Sequence, residues 1–245
     1  MKQLEAYTCN SDDLELLRSG AHHDPFGFLG IHPLEGKRWI IRAWFPTAVS
    51  VRVVSGPELE PVGEGLFAAI VDEVSKDKIP LHYTLEWSEE HGGTYRVVSP
   101  YTFAPQIGEV DLHLFGEGRH WHMYDVLGGN PRSVDGVDGV LFAVWAPSAQ
   151  RVSVVGNFNT WNGLRHPMRC RGSSGVWELF IPGIKESERY KFEIRNMHTG
   201  DSFVKADPYA RSMEMRPRTA SIVHVGEHEW NDNEWMEQRR TFDWQ

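Results

Sequence analysis

The chain has 245 residues, enough for two domains of about 100 residues each or for one larger domain. Its 25 Lys and Arg residues stand against 34 Asp and Glu, and the formal charge of −9 disfavours nucleic acid as a ligand. No stretch approaches the ~18 apolar residues of a membrane-spanning helix, and the N-terminus lacks the apolar run of a secretion signal. Two cysteines, Cys9 and Cys170, predict no disulfide framework, so we expect a cytoplasmic protein with no membrane partner.

The chain begins with signals for one short helix. Acidic Asp12 and Asp13 precede three leucines, and Gly20 follows, which predicts a helix from Ser11 to Ser19. The next stretch contains four potential metal ligands, but it has the composition of a turn and lacks the helical spacing of common zinc motifs. We therefore predict no metal site at these residues, which are His22, His23, Asp24 and His32.

The first half then shows short runs of β-branched and aromatic residues, separated by Gly, Pro and charged segments. This spacing is typical of an all-β sandwich. Residues Asp111 to Asp125 depart from the pattern and predict a partly helical connector. The predicted strands are Trp39–Phe45, Val49–Val54, Leu66–Val71, Leu81–Trp87 and Tyr95–Val98.

The second half repeats the first. The segment Ala43–Val54 matches Val144–Val155, with Trp, Pro, Ala and three Val at corresponding positions. Two tandem immunoglobulin-like β-sandwiches are the simplest explanation of the repeat. Because Trp145 corresponds to Trp44 on a repeated strand, we predict a core role for Trp145. Further matches are Leu29-Gly30 with Leu127-Gly128, Tyr83 with Tyr190, and Pro100-Tyr101 with Pro208-Tyr209; further predicted strands lie within Phe142–Val155, Arg189–Asn196 and Thr219–Val225.

The two copies differ after their second repeated strand. The first has the short loop Ser55–Glu58, whereas the second has the Gly- and Asn-rich loop Gly156–Gly163 with Trp161 inside it. A ring this large is either a core plug or an exposed platform. A pyranose ring suits a platform, because its C–H face stacks on an indole and neighbouring amides bond its hydroxyls. The candidate ligand-binding residues are Trp161, the amides Asn157, Asn159 and Asn162, and Lys191 on a later strand.

Several motifs together resemble the bacterial 1,4-α-glucan (glycogen) branching enzyme family, over essentially the whole chain. The resemblance implies two N-terminal β-sandwich modules, the second a carbohydrate-binding module of the family 48 type. The motifs are Asp24-Pro25-Phe26, Leu29-Gly30-Ile31-His32, Phe142-Ala143-Val144-Trp145-Ala146-Pro147, Gly156-Asn157-Phe158-Asn159-Thr160-Trp161, Trp177-Glu178-Leu179-Phe180-Ile181-Pro182-Gly183 and Asp207-Pro208-Tyr209.

The resemblance also implies a ligand and its contacts. In such modules the Trp of the Gly-x-Phe-Asn-x-Trp loop and the Lys of the Tyr-Lys-Phe strand contact α-1,4-glucan, which corresponds to Trp161 and Lys191 here. Related modules place a second stacking Trp shortly before the Asp-Pro pair. This chain has Phe203 and Val204 in that region, so Phe203 is a candidate contact and the site is predicted to bind more weakly.

The resemblance further implies a partner. Branching chemistry belongs to a following barrel domain with an Asp nucleophile and a Glu acid/base, and its motifs are not found in this chain. Retaining glycoside chemistry needs two carboxyls about 5 to 5.5 Å apart, and the sequence suggests no such pair, since Glu89 and Glu90 read as solvated charge in a turn. We therefore predict no catalytic residue and no cofactor, with glycogen and the catalytic barrel as partners.

The predicted organisation is a first sandwich at 1–108, a connector at 109–125, a second sandwich at 126–226 and a tail at 227–245 that leads toward the barrel. The tail is rich in aromatic residues. Large apolar side chains in a terminal segment favour docking on another domain that covers them. A free-standing glucan-binding protein and an immunoglobulin-like interaction module without a sugar site are the alternatives. The tail aromatics are Trp230, Trp235, Phe242 and Trp244.

Overall fold

The computed structural model describes residues 12–63, 65–90, 92–226 and 230–242. Cys9, Ser11 and Trp244, which figure in the predictions above, lie outside these residues. Within the described ranges, no helix is long and apolar enough to cross a membrane. The α-helices are α1 (Asp12–Arg18), α2 (Glu73–Asp77), α3 (Glu109–Gly116) and α4 (Asn233–Thr241).

The first sandwich is a seven-stranded sheet that folds over on itself, in the order β1-β2-β5-β4-β3-β6-β7. Strand β4 turns the corner, because Leu59 pairs with β3 while Glu60 and Pro61 pair with β5, with a bulge before Gly63. The two layers enclose an apolar core that includes the fully buried Tyr83. The strands are β1 (Gly30–Leu34), β2 (Arg38–Trp44), β3 (Ala48–Val53), β4 (Glu58–Gly63), β5 (Leu66–Asp72), β6 (Thr84–Glu89) and β7 (Thr94–Val98).

The second sandwich packs a four-stranded sheet, β11-β12-β9-β8, against a five-stranded sheet. In the latter, β13 lies between β10 on one side and both β14 and β16 on the other. Phe142 and Trp177 from the first sheet pack with Val154 and Phe192 from the second. The strands are β8 (Gly128–Val134), β9 (Val137–Trp145), β10 (Ala149–Gly156), β11 (Arg169–Cys170), β12 (Val176–Pro182), β13 (Arg189–Asn196), β14 (Ser202–Lys205), β15 (Ser212–Met213) and β16 (Ser221–Ile222).

The prediction of an all-β chain with two tandem sandwiches is confirmed. Among the strands that were not predicted, three contain an internal proline: β1 with Pro33, β4 with Pro61 and β8 with Pro131. Proline cannot donate a ladder hydrogen bond, so it occurs at sheet edges and bulges, and β1 and β8 are indeed edge strands. The predicted strand Thr219–Val225 is reduced to Ser221–Ile222.

Trp145 does not have the predicted core role. Its side chain is 53% exposed, whereas that of Trp44 is 6% exposed. Both residues point away from the interior of their sandwich, because the preceding residues Ala43 and Val144 belong to the two cores. Trp44 is covered by a separate cluster around Phe28, while Trp145 meets only the edge of Phe115 among the described aromatic rings. Trp44 and Trp145 therefore point to the same side of their strands, but other residues bury only Trp44.

The two sandwiches contact each other through the N-terminal segment and a bridging arginine. The Cys170 N–H donates to the His23 carbonyl at 2.9 Å, and Arg195 donates to the Ser19 carbonyl at 2.5 Å. Arg165 of the second sandwich lies 3.1 Å from Glu89 of the first, and both side chains are largely buried. Glu89 is therefore not the solvated turn charge that the sequence suggested, since it ends β6 and holds this arginine.

Candidate functional site

The loop after β10 has an unusual backbone. A short 3₁₀ turn covers Asn157–Asn159, and Thr160 and Trp161 then adopt left-handed conformations with φ of 55° and 59°. Residues other than glycine are strained in the left-handed backbone conformation, so contacts with the surrounding structure must stabilise it here. The Trp161 N–H donates to the Gly156 carbonyl at 2.9 Å and the Asn162 N–H to the Asn159 carbonyl at 3.1 Å. The loop is thereby closed onto the end of β10.

Asn159 is the internal support of the loop. Its side chain is fully buried, accepts from the Gly156 N–H at 2.9 Å and donates to the Val154 carbonyl at 2.8 Å. Its amide also lies 2.9 Å from Nδ1 of His166, which is an acceptor in the neutral ring. A side chain with these contacts shapes the loop from within. We therefore exclude Asn159 from the ligand-binding surface for which the sequence suggested it.

Burial lowers the pKa of His166 to about 3, with the nearby positive charge of Arg165 as the second cause. An unfolded histidine titrates near pH 6.5, so below that pH the unfolded chain binds a proton that the folded chain does not. The free energy of unfolding is therefore expected to fall on acidification from about pH 6.5 toward about pH 3, by up to about 1.4 kcal/mol per pH unit from this residue.

A His166→Asn variant isolates this contribution, because asparagine offers an acceptor close to the position of Nδ1 and does not titrate. In urea unfolding between about pH 7 and about pH 4, we expect the wild type to lose more free energy of unfolding than the variant. Parallel pH profiles for the two proteins would show that His166 is not held neutral in the fold.

The Trp161 ring is a partly exposed platform and not a plug. Its side chain is 39% exposed, in contrast to Trp177, which is buried in the core at 2%. The indole Nε1–H donates to Oδ1 of the exposed Asn157 at 3.0 Å, which fixes the orientation of the ring at the surface. The sequence left two interpretations of Trp161 open, a core plug and an exposed platform. The exposure of the ring agrees with the platform.

Lys191 lies on the strand next to this loop. It pairs with Val155, one residue before the Gly156 that anchors Trp161. Since Tyr190 and Phe192 point into the core, Lys191 points to the outer face of the sheet. Its Nζ donates to Thr219 Oγ1 at 2.7 Å in an exposed position, which leaves two further N–H donors on the ammonium group. Thr219 thus joins the candidate site, although the sequence signalled it only as a strand residue.

Two other predicted site residues, Phe203 and Asn162, differ from Trp161 and Lys191 in their position or their contacts. Phe203 pairs with Ile194, so its ring is on the face of the sheet opposite to Lys191, with the Lys205 ammonium 5.4 Å from its centre. Its neighbour Val204, which is exposed, is on the face of Lys191. The Asn162 side-chain oxygen accepts a hydrogen bond from the Leu164 N–H at 2.9 Å and stabilises the turn between them. The structure therefore brings together Trp161, Asn157 and Lys191, and it does not add Phe203.

A buried ion pair between Arg151 and Glu193 supports the inner side of the loop. Arg151, which is 4% exposed, donates to the Gly163 carbonyl at 2.6 Å and to Glu193 at 2.5 Å. A β-carbon at Gly163 would collide with the Glu193 carboxylate, so a larger residue would displace the carboxylate from its contact with Arg151. The sequence offered no signal for this support, because Arg151 and Glu193 are distant in the chain.

The histidine-rich stretch near the N-terminus is engaged in local contacts. Asp24 accepts from the Phe26 N–H at 3.2 Å and caps a 3₁₀ turn, and His32 Nε2 lies 2.8 Å from the Leu29 carbonyl. Among the described residues, no group of three or more His, Cys, Asp or Glu side chains is placed to hold a metal ion. These contacts agree with the interpretation of the stretch as a turn.

Comparison with known proteins divides the chain at the same place as the repeat. Residues 10–101 match the family model of the N-terminal domain of the α-1,4-glucan branching enzyme GlgB, and residues 126–210 match carbohydrate-binding module 48, the isoamylase N-terminal domain. The chain is similar to the 1,4-α-glucan branching enzymes GlgB of Hydrogenovibrio crunogenus (54% identity over 97% of this chain), Methylococcus capsulatus (50% over 96%) and Cellvibrio japonicus (46% over 96%).

In each case the chain spans about a third of the relative, 33%, 32% and 33% respectively. The matched third carries both sandwiches, with the candidate loop in the carbohydrate-binding module. The chain therefore belongs to the bacterial 1,4-α-glucan branching enzyme family and corresponds to its two N-terminal β-sandwich modules.

Proposed function

We propose that the second sandwich binds α-1,4-glucan at the surface formed by Trp161, Asn157, Lys191 and Thr219, and that the chain is a non-catalytic glucan-binding and docking region of a branching enzyme in glycogen biosynthesis. The observation that carries the proposal is the Trp161 indole, which a strained and internally bonded loop holds at the protein surface. A cytoplasmic location stays a prediction.

The chemistry of the surface fits a neutral sugar polymer. The indole offers an apolar face for the C–H face of a glucose unit, while amide, hydroxyl and ammonium groups around it can exchange hydrogen bonds with the sugar hydroxyls. Because the loop is closed by its own backbone hydrogen bonds, the ring loses little conformational freedom when the ligand binds. A preformed platform of this kind favours binding despite the small contact area.

The docking part of the proposal concerns the catalytic barrel. The relatives are about three times as long as this chain, and several large apolar side chains are exposed here. Where such side chains form a contiguous patch, they mark a surface that another domain covers. We assign them to contact with the barrel of the branching enzyme, and they are Trp121, Trp145, Trp230, Trp235 and Phe242.

Native electrophoresis in gels that contain glycogen tests the proposed function. We expect the chain to be retarded by glycogen and not by an equal concentration of a β-1,4-linked glucan, because the α-linkage sets the curvature with which successive rings meet the platform. Equal mobility in gels with and without glycogen, over the full range of polysaccharide concentration, would refute glucan binding.

Replacing Lys191 with methionine should weaken glycogen binding less than loss of the indole does. The methionine keeps most of the apolar stem and removes a charged donor, a loss of roughly 1.5 kcal/mol. Lys78→Met, at an exposed position of the first sandwich, is the control for lost charge. A Lys191 variant that binds as well as wild type would remove Lys191 from the site.

A further inference from the structure

A cleft of about 730 Å³ separates the two sandwiches. One wall belongs to the first sandwich, with Trp87 and Tyr95 on β6 and β7, and the other to the second sandwich, with Asn157 and Thr160 of the platform loop. Its size is within the usual range of ligand-binding clefts. Neither the comparisons nor the sequence resemblance assign a ligand to it.

The wall on the first sandwich is a stack of aromatic rings. Phe45 lies 4.8 Å from Trp87, and Trp87 is stacked on Tyr95 with centroids 5.4 Å apart and planes within 25°. The outermost ring, Tyr95, is 45% exposed. Because its inner neighbours back it, Tyr95 is a second preorganised aromatic surface, on a different module from Trp161.

The opposite wall is continuous with the Trp161 platform. Asn157 lines the cleft, and its Oδ1 accepts the hydrogen bond from the Trp161 indole. Thr160, the residue before Trp161, is exposed and also lines the cleft. A glucan chain that extends from Trp161 toward Asn157 and Thr160 would enter the cleft between the two walls.

The two arginines that line the cleft are both paired with carboxylates, which suits a neutral ligand. Arg165 lies 3.1 Å from Glu89, with its guanidinium 5.9 Å from the centre of the Trp87 ring. Arg96 donates to Glu86 at 2.5 Å. An anionic ligand would have to break these pairs to reach the arginines, whereas hydroxyl groups can bond to them as they stand.

We propose that the cleft is a second glucan subsite, in which Tyr95 stacks on a glucose unit of the same linear α-1,4-glucan chain that Trp161 holds. The proposal rests on the proposed function of the Trp161 surface. It assigns the first sandwich a direct part in binding, so that long linear chains bind across both modules and short ones only at Trp161.

Titration of the full 245-residue chain with maltotriose and with a long linear maltodextrin tests this subsite. For Tyr95→Ala we expect the maltodextrin dissociation constant to rise on the order of tenfold, as for loss of one stacked ring, with the maltotriose constant unchanged. Tyr95→Phe should bind like wild type, because it keeps the ring. Tyr124→Ala, which removes a similarly exposed tyrosine outside the cleft, is the control.

A second measurement does not depend on the folding of any variant. In ¹H–¹⁵N spectra of the wild type, the maltodextrin should shift the Trp87 indole signal and the Tyr95 amide, while maltotriose should shift only signals around Trp161. If Tyr95→Ala binds maltodextrin like wild type and the Trp87 signal stays in place, the subsite is refuted and the Trp161 site stands. If neither sugar shifts any signal, both proposals fail.

Discussion

Replacing Trp161 with alanine is expected to abolish retention of the chain on glycogen and to leave its thermal midpoint nearly unchanged. The lost stacking is worth ~1 to 3 kcal/mol, by analogy with bases on aromatic side chains, which removes a binding that is already weak. Stability should hold because the ring is 39% exposed and leaves no closed cavity behind. Affinity electrophoresis and thermal unfolding monitored by circular dichroism measure the two effects separately.

Trp145→Ala is the matched control, since it removes another partly exposed indole from the same module. We expect it to keep glycogen binding. A Trp161 variant that binds glycogen like wild type would contradict the platform, and one that melts far below wild type would show that the ring acts as a plug after all.

Replacing Asn159 with alanine is expected to have the opposite profile, with a large loss of stability. The side chain satisfies the Gly156 N–H and the Val154 carbonyl inside the protein, and each buried polar group left without a partner costs about 1 to 3 kcal/mol. The free energy of unfolding should therefore fall by roughly 3 kcal/mol. Glycogen binding should fall as well, because the loop that orients Trp161 loses its internal support.

Asn157→Ala supplies the comparison for this stability effect. It removes the same amide from an exposed position two residues earlier, so unfolding in urea should change by less than about 0.5 kcal/mol. Equal stability losses for the two variants would show that Asn159 has no special structural role.

The sequence predicted the parts of the fold that are written in local patterns. Alternating apolar residues and turn formers indicated the long strands β2, β5, β9 and β13, and the repeat indicated two sandwiches. The repeat also aligned Tyr83 with Tyr190, and both are buried. It misled at Trp145, because a repeated strand fixes which way a side chain points and not what another segment places over it.

The candidate site was predictable only in part, for the same kind of reason. Trp161 stood out as a large ring among Gly and Asn residues, and Lys191 followed from the resemblance. Three loop asparagines look alike in sequence, but backbone closure turns Asn159 inward and Asn157 outward. Phe203 was misplaced because its face depends on the register of β14 against β13, which the sequence does not reveal.

Contacts between segments that are distant in the chain could not be predicted from the sequence. The Lys191 ammonium meets Thr219 across the sheet, Arg165 reaches Glu89 on the other sandwich, and Arg151 supports Gly163. Each pair is set by the tertiary packing of two elements, so no local pattern records it. The cleft between the sandwiches arises in the same way.

The most direct test of glucan binding at the platform is a ¹H–¹⁵N titration of the chain with maltoheptaose, in which the indole signals of the ten tryptophans act as separate reporters. We expect the Trp161 indole N–H, which donates to Asn157, to move the most among these indoles, together with the amides of Val155 and Lys191. An unmoved Trp161 signal at saturating sugar, or shifts confined to tryptophans elsewhere, would contradict the site.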